Sequence, residues 1–237
     1  RETAHEAIKG HALAAAKATA KGVVAKAPAT YISSNYSPGN WATLTGFKTA
    51  GDTAIDAATD LTGVTFAQNT ATLGMDGVDK DALAASKVAA KGALTTALAA
   101  YQEGNYSPGN WKTLTGFKAA GDTAIDAAVN LTGVSSVQNT ATLGMAEVEK
   151  DALAAAKVAA KGIIAAALAT YTEGNYSSAN WKTLTGFKTA GDTAIDAATV
   201  LAGVTLPPNT ATTGMAGVER DALAAAKATA KGTLAAA

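Results

Sequence analysis

The chain repeats itself every 70 residues, and this period limits its fold more than any other feature of the sequence. The tripeptide Asn-Tyr-Ser begins at Asn35, Asn105 and Asn175, each time with a tryptophan at the same later position and with no insertion or deletion between. Such a period predicts an array in which each unit packs against its neighbours. We divide the chain into the end of a preceding repeat (residues 1–10), repeat 1 (11–80), repeat 2 (81–150), repeat 3 (151–220) and the start of a further partial repeat (221–237). The partial repeats indicate a segment of a longer array.

The repeated motif carries the residues that begin a helix. Ser37 is a preferred N-cap residue, and Pro38 suits the first helical position. Tyr36 and Trp41 have the spacing of a hydrophobic staple. We predict a helix that begins at Pro38 and ends at about Leu61, with its apolar residues on one stripe that faces the core.

The residues after this helix predict a short turn and a new helix start. Gly63 stands where a left-handed glycine commonly ends a helix, and Thr65 with Gln68 has the spacing of a capping box. Repeat 3 differs, because Pro207 and Pro208 follow the equivalent threonine. We expect them in the first helical turn, which tolerates proline.

The path of the chain from one repeat to the next has two alternatives. No proline follows the second helix start before the next motif, so the third helix of one repeat is predicted to run into the first helix of the next. Gly74, Gly77 and the charged cluster at 79–81 would instead allow a break. Continuity gives a stiff rod and a break gives bundles that bend; we expect continuity.

The predicted core residues share helical spacing and recur at the period of the repeat. They are Trp41, Leu44, Phe47, Ile55, Leu61, Leu94, Leu98, Trp111, Leu114, Phe117, Ile125, Leu131, Trp181, Leu184, Phe187, Ile195 and Leu201. The predicted helix caps are Ser37, Gly63, Thr65, Ser107, Gly133, Ser135, Ser177, Gly203 and Thr205. Together they predict an all-α fold, a tandem array of three-helix bundles with a 70-residue repeat that forms an elongated rod.

These residues resemble the FIVAR-type repeat. The shared signature is Tyr-Ser/Thr-x-x-x-Trp-x-x-Leu, which Tyr36, Ser37, Trp41 and Leu44 match, and each full repeat is covered. A helix, a short loop and the restart at Thr65 follow in the same order. The resemblance implies three-helix modules strung along large surface proteins, chiefly of Gram-positive bacteria, where they act as stalks or adhesive spacers.

Composition argues against several kinds of partner. Only 16% of the residues are charged and the formal net charge is zero, so there is no basic surface to attract nucleic acid or anionic lipid. The chain has no cysteine, which removes disulfides, thiolate catalysis and cysteine-ligated metal sites. No apolar run approaches the roughly 20 residues that cross a bilayer, so we expect no membrane insertion in this segment.

The residues that could bind a metal or a ligand or take part in catalysis have structural explanations. Asp52 and Asp56 lie four residues apart in a pattern that each repeat contains, but Lys48 stands four residues earlier, which favours exposed ion pairs over a calcium site. The two histidines, His5 and His11, neither recur nor share a helix face. The tryptophans could stack on sugars, yet core packing explains them better. We predict no catalytic, metal or cofactor site.

The leading hypothesis is a non-catalytic structural segment of a large bacterial cell-surface protein. It acts outside the cell as a stalk, spacer or adhesin rod, and its partners are the neighbouring repeats of the same chain. Low surface charge and the incomplete end repeats favour an alternative, a self-associating subunit of an extracellular filament or surface lattice. A second alternative is an adhesive module that binds a host protein or polysaccharide. The near identity of the repeats favours the first two, because diversified binding predicts surfaces that vary.

Overall fold

The computed structural model describes residues 2–235, and the side chains of residues 4–235. Regular structure in that range is entirely helical, with seven α-helices, three 3-10 turns and no β-strand. The helices are α1 (Glu2–Ala29), α2 (Pro38–Ala57), α3 (Leu61–Ala99), α4 (Pro108–Ala127), α5 (Leu131–Leu168), α6 (Ser178–Ala197) and α7 (Ala202–Ala235). The 3-10 turns are Ser33–Asn35, Glu103–Asn105 and Glu173–Asn175. The all-α prediction is confirmed.

The chain divides into two compact units. The first comprises Arg1–Thr96 and Ala119–Ala141. The second comprises Ala97–Lys118 and Thr142–Ala237.

Each unit contains a core cluster to which three helices contribute. In the first unit the core contains Val24 from α1, Leu44 and Ile55 from α2, and Met75 from α3. In the second unit α5, α6 and α7 supply the equivalent residues, Ile164, Leu184, Ile195 and Met215. All eight side chains are fully removed from solvent. Burial of one such side chain contributes about 1.5–3 kcal/mol, so these apolar stripes hold the helices together.

The repeated motif begins α2, α4 and α6 through a serine cap. Ser37 Oγ accepts a hydrogen bond from the Asn40 amide at 3.1 Å, and Ser107 and Ser177 make the equivalent contact at 3.2 Å. This contact satisfies one of the amides that have no partner within the helix.

The end of α2 differs from the prediction. α2 ends at Ala57, a turn before the predicted Leu61, because Ala58 adopts extended backbone with φ −62° and ψ 136°. Leu61 instead begins α3. The carboxylate of Asp60 accepts a hydrogen bond from the Gly63 amide at 2.7 Å, which caps the new helix at this earlier position.

Six of the predicted caps are therefore wrong, because these residues lie within helices: Gly63, Thr65, Gly133, Ser135, Gly203 and Thr205. No described glycine has positive φ. A Cβ on Gly63 would lie 3.3 Å from both Ala58 Cβ and Asp60 Oδ1, so the close approach of the preceding turn explains the glycine. The Thr65 hydroxyl donates to the Leu61 carbonyl, one turn back in α3, and caps nothing.

Repeat 3 begins its long helix without a side-chain cap. Val200 occupies the place of the capping Asp60, and α7 begins at Ala202. Pro207 and Pro208 therefore lie in the second turn of α7, not in the first turn as predicted. Each lacks an amide proton, so this turn of α7 forgoes two backbone hydrogen bonds.

Gly74 and Gly77 do not interrupt α3, which runs unbroken from repeat 1 into repeat 2. A Cβ on Gly74 would overlap the ring of Phe47, so glycine here allows the α2 phenylalanine to pack directly on α3. A Cβ on Gly51 would lie 2.5 Å from Ala71 Cβ, so the two helix backbones also come close together at that crossing. The continuous alternative is confirmed for α3, and α5 is likewise unbroken.

Leu61 is not a core residue, although its counterparts are. Its side chain is 53% exposed, whereas Leu131 is 6% and Leu201 7% exposed. Asn35 Nδ2 donates to Thr132 Oγ1 at 3.0 Å, so the 3-10 turn that contains Asn35 lies against the start of α5 beside Leu131. Leu61 borders an open groove of about 530 Å³ instead. The prediction for Leu61 was wrong because its burial depends on a turn that is distant in sequence.

Candidate functional site

The structure places the predicted core residues in three groups. Buried are Leu44, Ile55, Leu94, Leu114, Ile125, Leu131, Leu184, Ile195 and Leu201. Half-buried are Trp41, Phe47, Leu98, Trp111, Phe117, Trp181 and Phe187. Leu61 alone of the predicted set is exposed. The core also contains Met75, Met145 and Met215, which the predicted set omitted although they recur at the same period.

Three aromatic rings cluster where the loop after α1 enters α2. The ring centroids of Tyr31 and Tyr36 are 6.0 Å apart in an edge-on arrangement, and those of Tyr36 and Trp41 are also 6.0 Å apart. All three pack against the core of the first unit. Edge-to-face aromatic pairs contribute about 0.5–1.5 kcal/mol beyond their buried area. Packing therefore accounts for Trp41.

Two tyrosine hydroxyls tie this loop to α3. The Tyr31 hydroxyl donates to Asp76 Oδ1 at 2.9 Å, and the Tyr36 hydroxyl donates to Asp79. Burial, which disfavours the charged phenolate, and the hydrogen bond to Asp76 raise the pKa of Tyr31 to about 12. Burial and the bond to Asp79 also raise the pKa of Tyr36. Both groups thus remain neutral donors at physiological pH.

The second unit has only part of this arrangement. The Tyr106 hydroxyl donates to Glu149, as the Tyr36 hydroxyl donates to Asp79. Ala146 stands in the place of Asp76, so Tyr101 has no carboxylate there. Burial and the nearby Glu149 charge still raise the pKa of Tyr101. The sequence analysis missed these carboxylates, although an acid recurs at each of positions 79, 149 and 219.

Lysine and aspartate side chains join the first helix of the bundle to the second. Lys21 Nζ lies 2.6 Å from Asp56 Oδ2, and Lys17 Nζ donates to the Asp56 carbonyl at 2.9 Å. The hydrogen bond to Asp56 raises the pKa of Lys21. The sequence analysis missed these contacts, because finding them requires knowing which helix faces meet.

The two aspartates that were considered as a calcium site form ion pairs with lysines. Asp52 Oδ2 lies 2.7 Å from Lys48 Nζ, and its neighbour Asp56 bonds to Lys21 on α1. Among the described side chains, no group of three or more His, Asp or Glu is placed to hold a metal ion. His5 and His11 are exposed, and His11 Nδ1 lies 2.9 Å from the Ala7 carbonyl oxygen.

Grooves of small apolar residues separate α2 from α3 and α6 from α7. The first has a volume of about 490 Å³ and is bordered by Phe47, Gly51 and Phe66. The second has about 240 Å³ and is bordered by Phe187 and Leu206. No polar groups converge on either groove in the way that ligand orientation requires.

The fold and these contacts define an all-helical protein whose polar side chains tie helices and loops together. Within residues 2–235 no helix combines the length and the apolarity that crossing a membrane demands. Comparison with models of protein families, with curated proteins and with solved structures finds no match for this chain. The FIVAR-type resemblance therefore stays a prediction.

Proposed function

We propose that this chain is a non-catalytic structural segment, a tandem array of three-helix bundles that spaces the other parts of a bacterial cell-surface protein. The observation that supports this most is that one set of inter-helix contacts recurs at the repeat period. Lysine and aspartate are joined at 2.6, 2.7 and 2.5 Å in Lys21–Asp56, Lys91–Asp126 and Lys161–Asp196. What recurs is a means of holding helices together, as a spacer requires.

The long helices provide the mechanical argument. α3 has 39 residues and α5 has 38, and each carries the third-helix sequence of one repeat and the first-helix sequence of the next. A helix of this length extends about 58 Å, and bending it costs backbone hydrogen bonds. Joining successive bundles by shared helices would resist bending, and stability would sum over bundles and their interfaces.

Small-angle X-ray scattering with light scattering, on the full chain at low concentration, tests the spacer proposal. A compact fold of this length would have a radius of gyration near ~18 Å. Three bundles in line should give about 30–40 Å, since each bundle helix of 20 residues extends about 30 Å. A monomer with a radius near the compact value would contradict the proposal.

The proposed location has a separate test. An antibody raised against this chain should label intact cells of the organism that makes it, because a cell-surface spacer is accessible from outside. Permeabilised cells serve as the control for antibody access. Labelling that appears only after permeabilisation would contradict the extracellular location and leave the spacer role to the scattering experiment.

A further inference from the structure

The acceptor pattern for N-linked glycosylation, Asn-x-Ser/Thr, occurs four times in this chain. Three copies lie in the repeated motif and begin at Asn35, Asn105 and Asn175, and the fourth begins at Asn130. The pattern is short and arises often by chance, so it indicates a site only where the folded chain presents the asparagine to an enzyme. Asn35, Asn105 and Asn130 differ in this respect.

Asn130 is held by the helix that it caps. Its Oδ1 atom accepts a hydrogen bond from the Gly133 amide at 2.7 Å, and Leu131, the middle residue of the pattern, is 6% exposed. Thr132 lies within α5. A transferase must bind all three residues of the pattern, which here would require the first turn of α5 to unfold. Asn130 is therefore withheld in the folded chain.

Asn35 is held by a contact with the start of the same helix. Its Nδ2 atom donates a hydrogen bond to Thr132 Oγ1 at 3.0 Å, and the residue is half-buried. Nδ2 is the atom to which a sugar would be attached, and this same atom makes the bond. Modification of Asn35 would therefore have to break the contact with α5 first.

Asn105 lacks this contact because of one difference between the repeats. The residue that corresponds to Thr132 at the start of α7 is Ala202, which has no hydroxyl to accept the hydrogen bond. Asn105 is exposed, and it borders an open groove of about 400 Å³ together with Leu201. The Nδ2 atom of Asn105 is therefore accessible where that of Asn35 is engaged.

The backbone around Asn105 also suits an acceptor. Asn105 ends the 3-10 turn, and Tyr106 after it adopts extended backbone with φ −114° and ψ 152°. Ser107 is exposed, and its Oγ atom accepts a hydrogen bond from the Asn110 amide at 3.2 Å, which leaves the hydroxyl hydrogen available as a donor. All three residues of the pattern precede α4, so an enzyme can bind them without unfolding a helix.

We propose that Asn105 is an acceptor site for an N-linked oligosaccharide, which the folded chain presents to a glycosyltransferase while it withholds Asn35 and Asn130. In the transfer, Nδ2 of Asn105 forms a bond to the anomeric carbon of a sugar that is carried on a diphosphate. The bond from that carbon to the diphosphate oxygen breaks, the diphosphate leaves with the electron pair, and Nδ2 loses one proton. The inference rests on the proposed extracellular location, because N-linked acceptors belong to exported chains.

A glycan at Asn105 would hydrate a surface that has little charge. The formal net charge is zero and 16% of the residues are charged, whereas Val158 is 75% and Ile163 56% exposed. A net charge near zero promotes association, and an oligosaccharide is bulky and solubilising. Ile163 borders the same groove as Asn105, so the glycan would lie beside apolar surface.

Peptide mapping by mass spectrometry tests the site on protein isolated from the cells that make it. Trypsin separates the patterns, because residues 92–112 contain only Asn105, residues 27–48 only Asn35 and residues 119–150 only Asn130. We expect added hexose or hexosamine masses on the Asn105 peptide and none on the other two. An unmodified Asn105 peptide in protein that antibody labels on intact cells would overturn the proposal and leave the spacer role intact.

A second experiment tests the acceptor without reference to its location. The purified full chain is incubated with a single-subunit oligosaccharyltransferase that requires only Asn-x-Ser/Thr, and with its donor oligosaccharide on a lipid diphosphate. We expect Asn105 to be modified about fivefold faster than Asn35, a difference that one ordinary hydrogen bond supports. The peptide of residues 92–112 is the control for the enzyme. Modification of this peptide without modification of Asn105 in the folded chain would contradict the proposal.

A reciprocal pair of variants moves the contact from one repeat to the other. Thr132→Ala removes the acceptor that holds Asn35 and should raise the rate at Asn35 by about fivefold. Ala202→Thr supplies that acceptor beside Asn105 and should lower the rate at Asn105 by a similar factor. Both positions are exposed, so neither variant should alter the fold. Equal rates at the two asparagines in the unaltered chain, or no change in either variant, would overturn the proposal.

Discussion

The same eleven residues have two environments, one at each end of the molecule. One face of Ala12–Gly22 in α1 packs on α2 and α3, with Ala20 buried, whereas residues 223–232 of the identical segment Ala222–Gly232 in α7 are all exposed, yet both segments are helical. Alanine has the highest intrinsic helix propensity, and the exposed segment continues a helix whose first half is packed, so it does not bear the cost of nucleation. The comparison teaches that local sequence decides whether this segment is helical, while burial depends on the helices beside it.

The largest difference between the two environments should come from a buried charge. Ala20→Asp places a carboxylate in the core of the first unit, where it has no partner, and should lower the free energy of unfolding by about 3–5 kcal/mol. The matched change Ala230→Asp lies on the exposed segment and should alter it by less than about 0.5 kcal/mol. Urea unfolding followed by circular dichroism measures both. Equal losses would mean that the C-terminal half of α7 is packed in solution.

A leucine pair extends the comparison to the helix starts. Leu131→Ala should cost about 2–5 kcal/mol, because it leaves a cavity beneath the neighbouring turn. Leu61→Ala removes a side chain that is already 53% exposed, and should cost less than about 1 kcal/mol. Thermal unfolding at low protein concentration gives the two values. A Leu61→Ala loss as large as that of Leu131→Ala would show that another surface covers Leu61.

A glycine pair separates helix propensity from packing within α3. Gly74→Ala forces the Phe47 ring away and should cost about 1–3 kcal/mol. Gly77→Ala meets no neighbour within 4 Å and should stabilise the protein by about 0.5–1 kcal/mol, since alanine is the better helix former. The melting temperatures should therefore move in opposite directions. Stabilisation by both changes would contradict the contact between Phe47 and α3.

The smallest effect concerns the tyrosine hydroxyls and pH. The pKa of Tyr31, about 12, lies above its ordinary value of 10.0, so the stability it contributes is complete below pH 10 and is lost as pH rises towards 12. Asp76→Asn should lower this pKa, because the bonded carboxylate disappears. Ala146→Asp should raise the pKa of Tyr101, which has no carboxylate at that place. Tyrosinate absorbance against pH measures both pKa shifts. If the two pKa values moved in the same direction, the carboxylate at this position would not be the hydrogen-bond acceptor of the tyrosine.

The local parts of the fold could be predicted from sequence, and the non-local parts could not. Ser37 caps α2 through a residue three positions later, so its motif contains all the necessary information. Leu61 and Leu131 begin the same tetrapeptide, Leu-Thr-Gly-Val, and yet one is exposed and one buried. That difference arises from a turn nearly 100 residues away, as the contact between Asn35 and Thr132 shows with its separation of 97 residues.

The remaining errors have the same origin. Aspartate is a preferred N-cap residue, so Asp60 could have indicated that a helix begins there. The prediction instead took Gly63, three positions later, as the C-cap of the preceding helix. The Lys21–Asp56 contact joins helices 35 residues apart, and only the packed arrangement reveals it. In both cases the local sequence was compatible with more than one structure, and the packing of the helices determined which one formed.

The unbroken course of α3 sets a rule for how genes for such a protein can change in length. Met75 faces the core of repeat 1 and Leu94 is buried in the next repeat, and both belong to this one helix. Each residue inserted between them would rotate one face relative to the other by about 100°. A single inserted codon there would misalign two cores, whereas the same insertion in the loop before α2 would only lengthen a connection. The number of residues between these two buried faces is therefore fixed by the geometry of the helix, and an in-frame insertion of one codon between them would be destabilising.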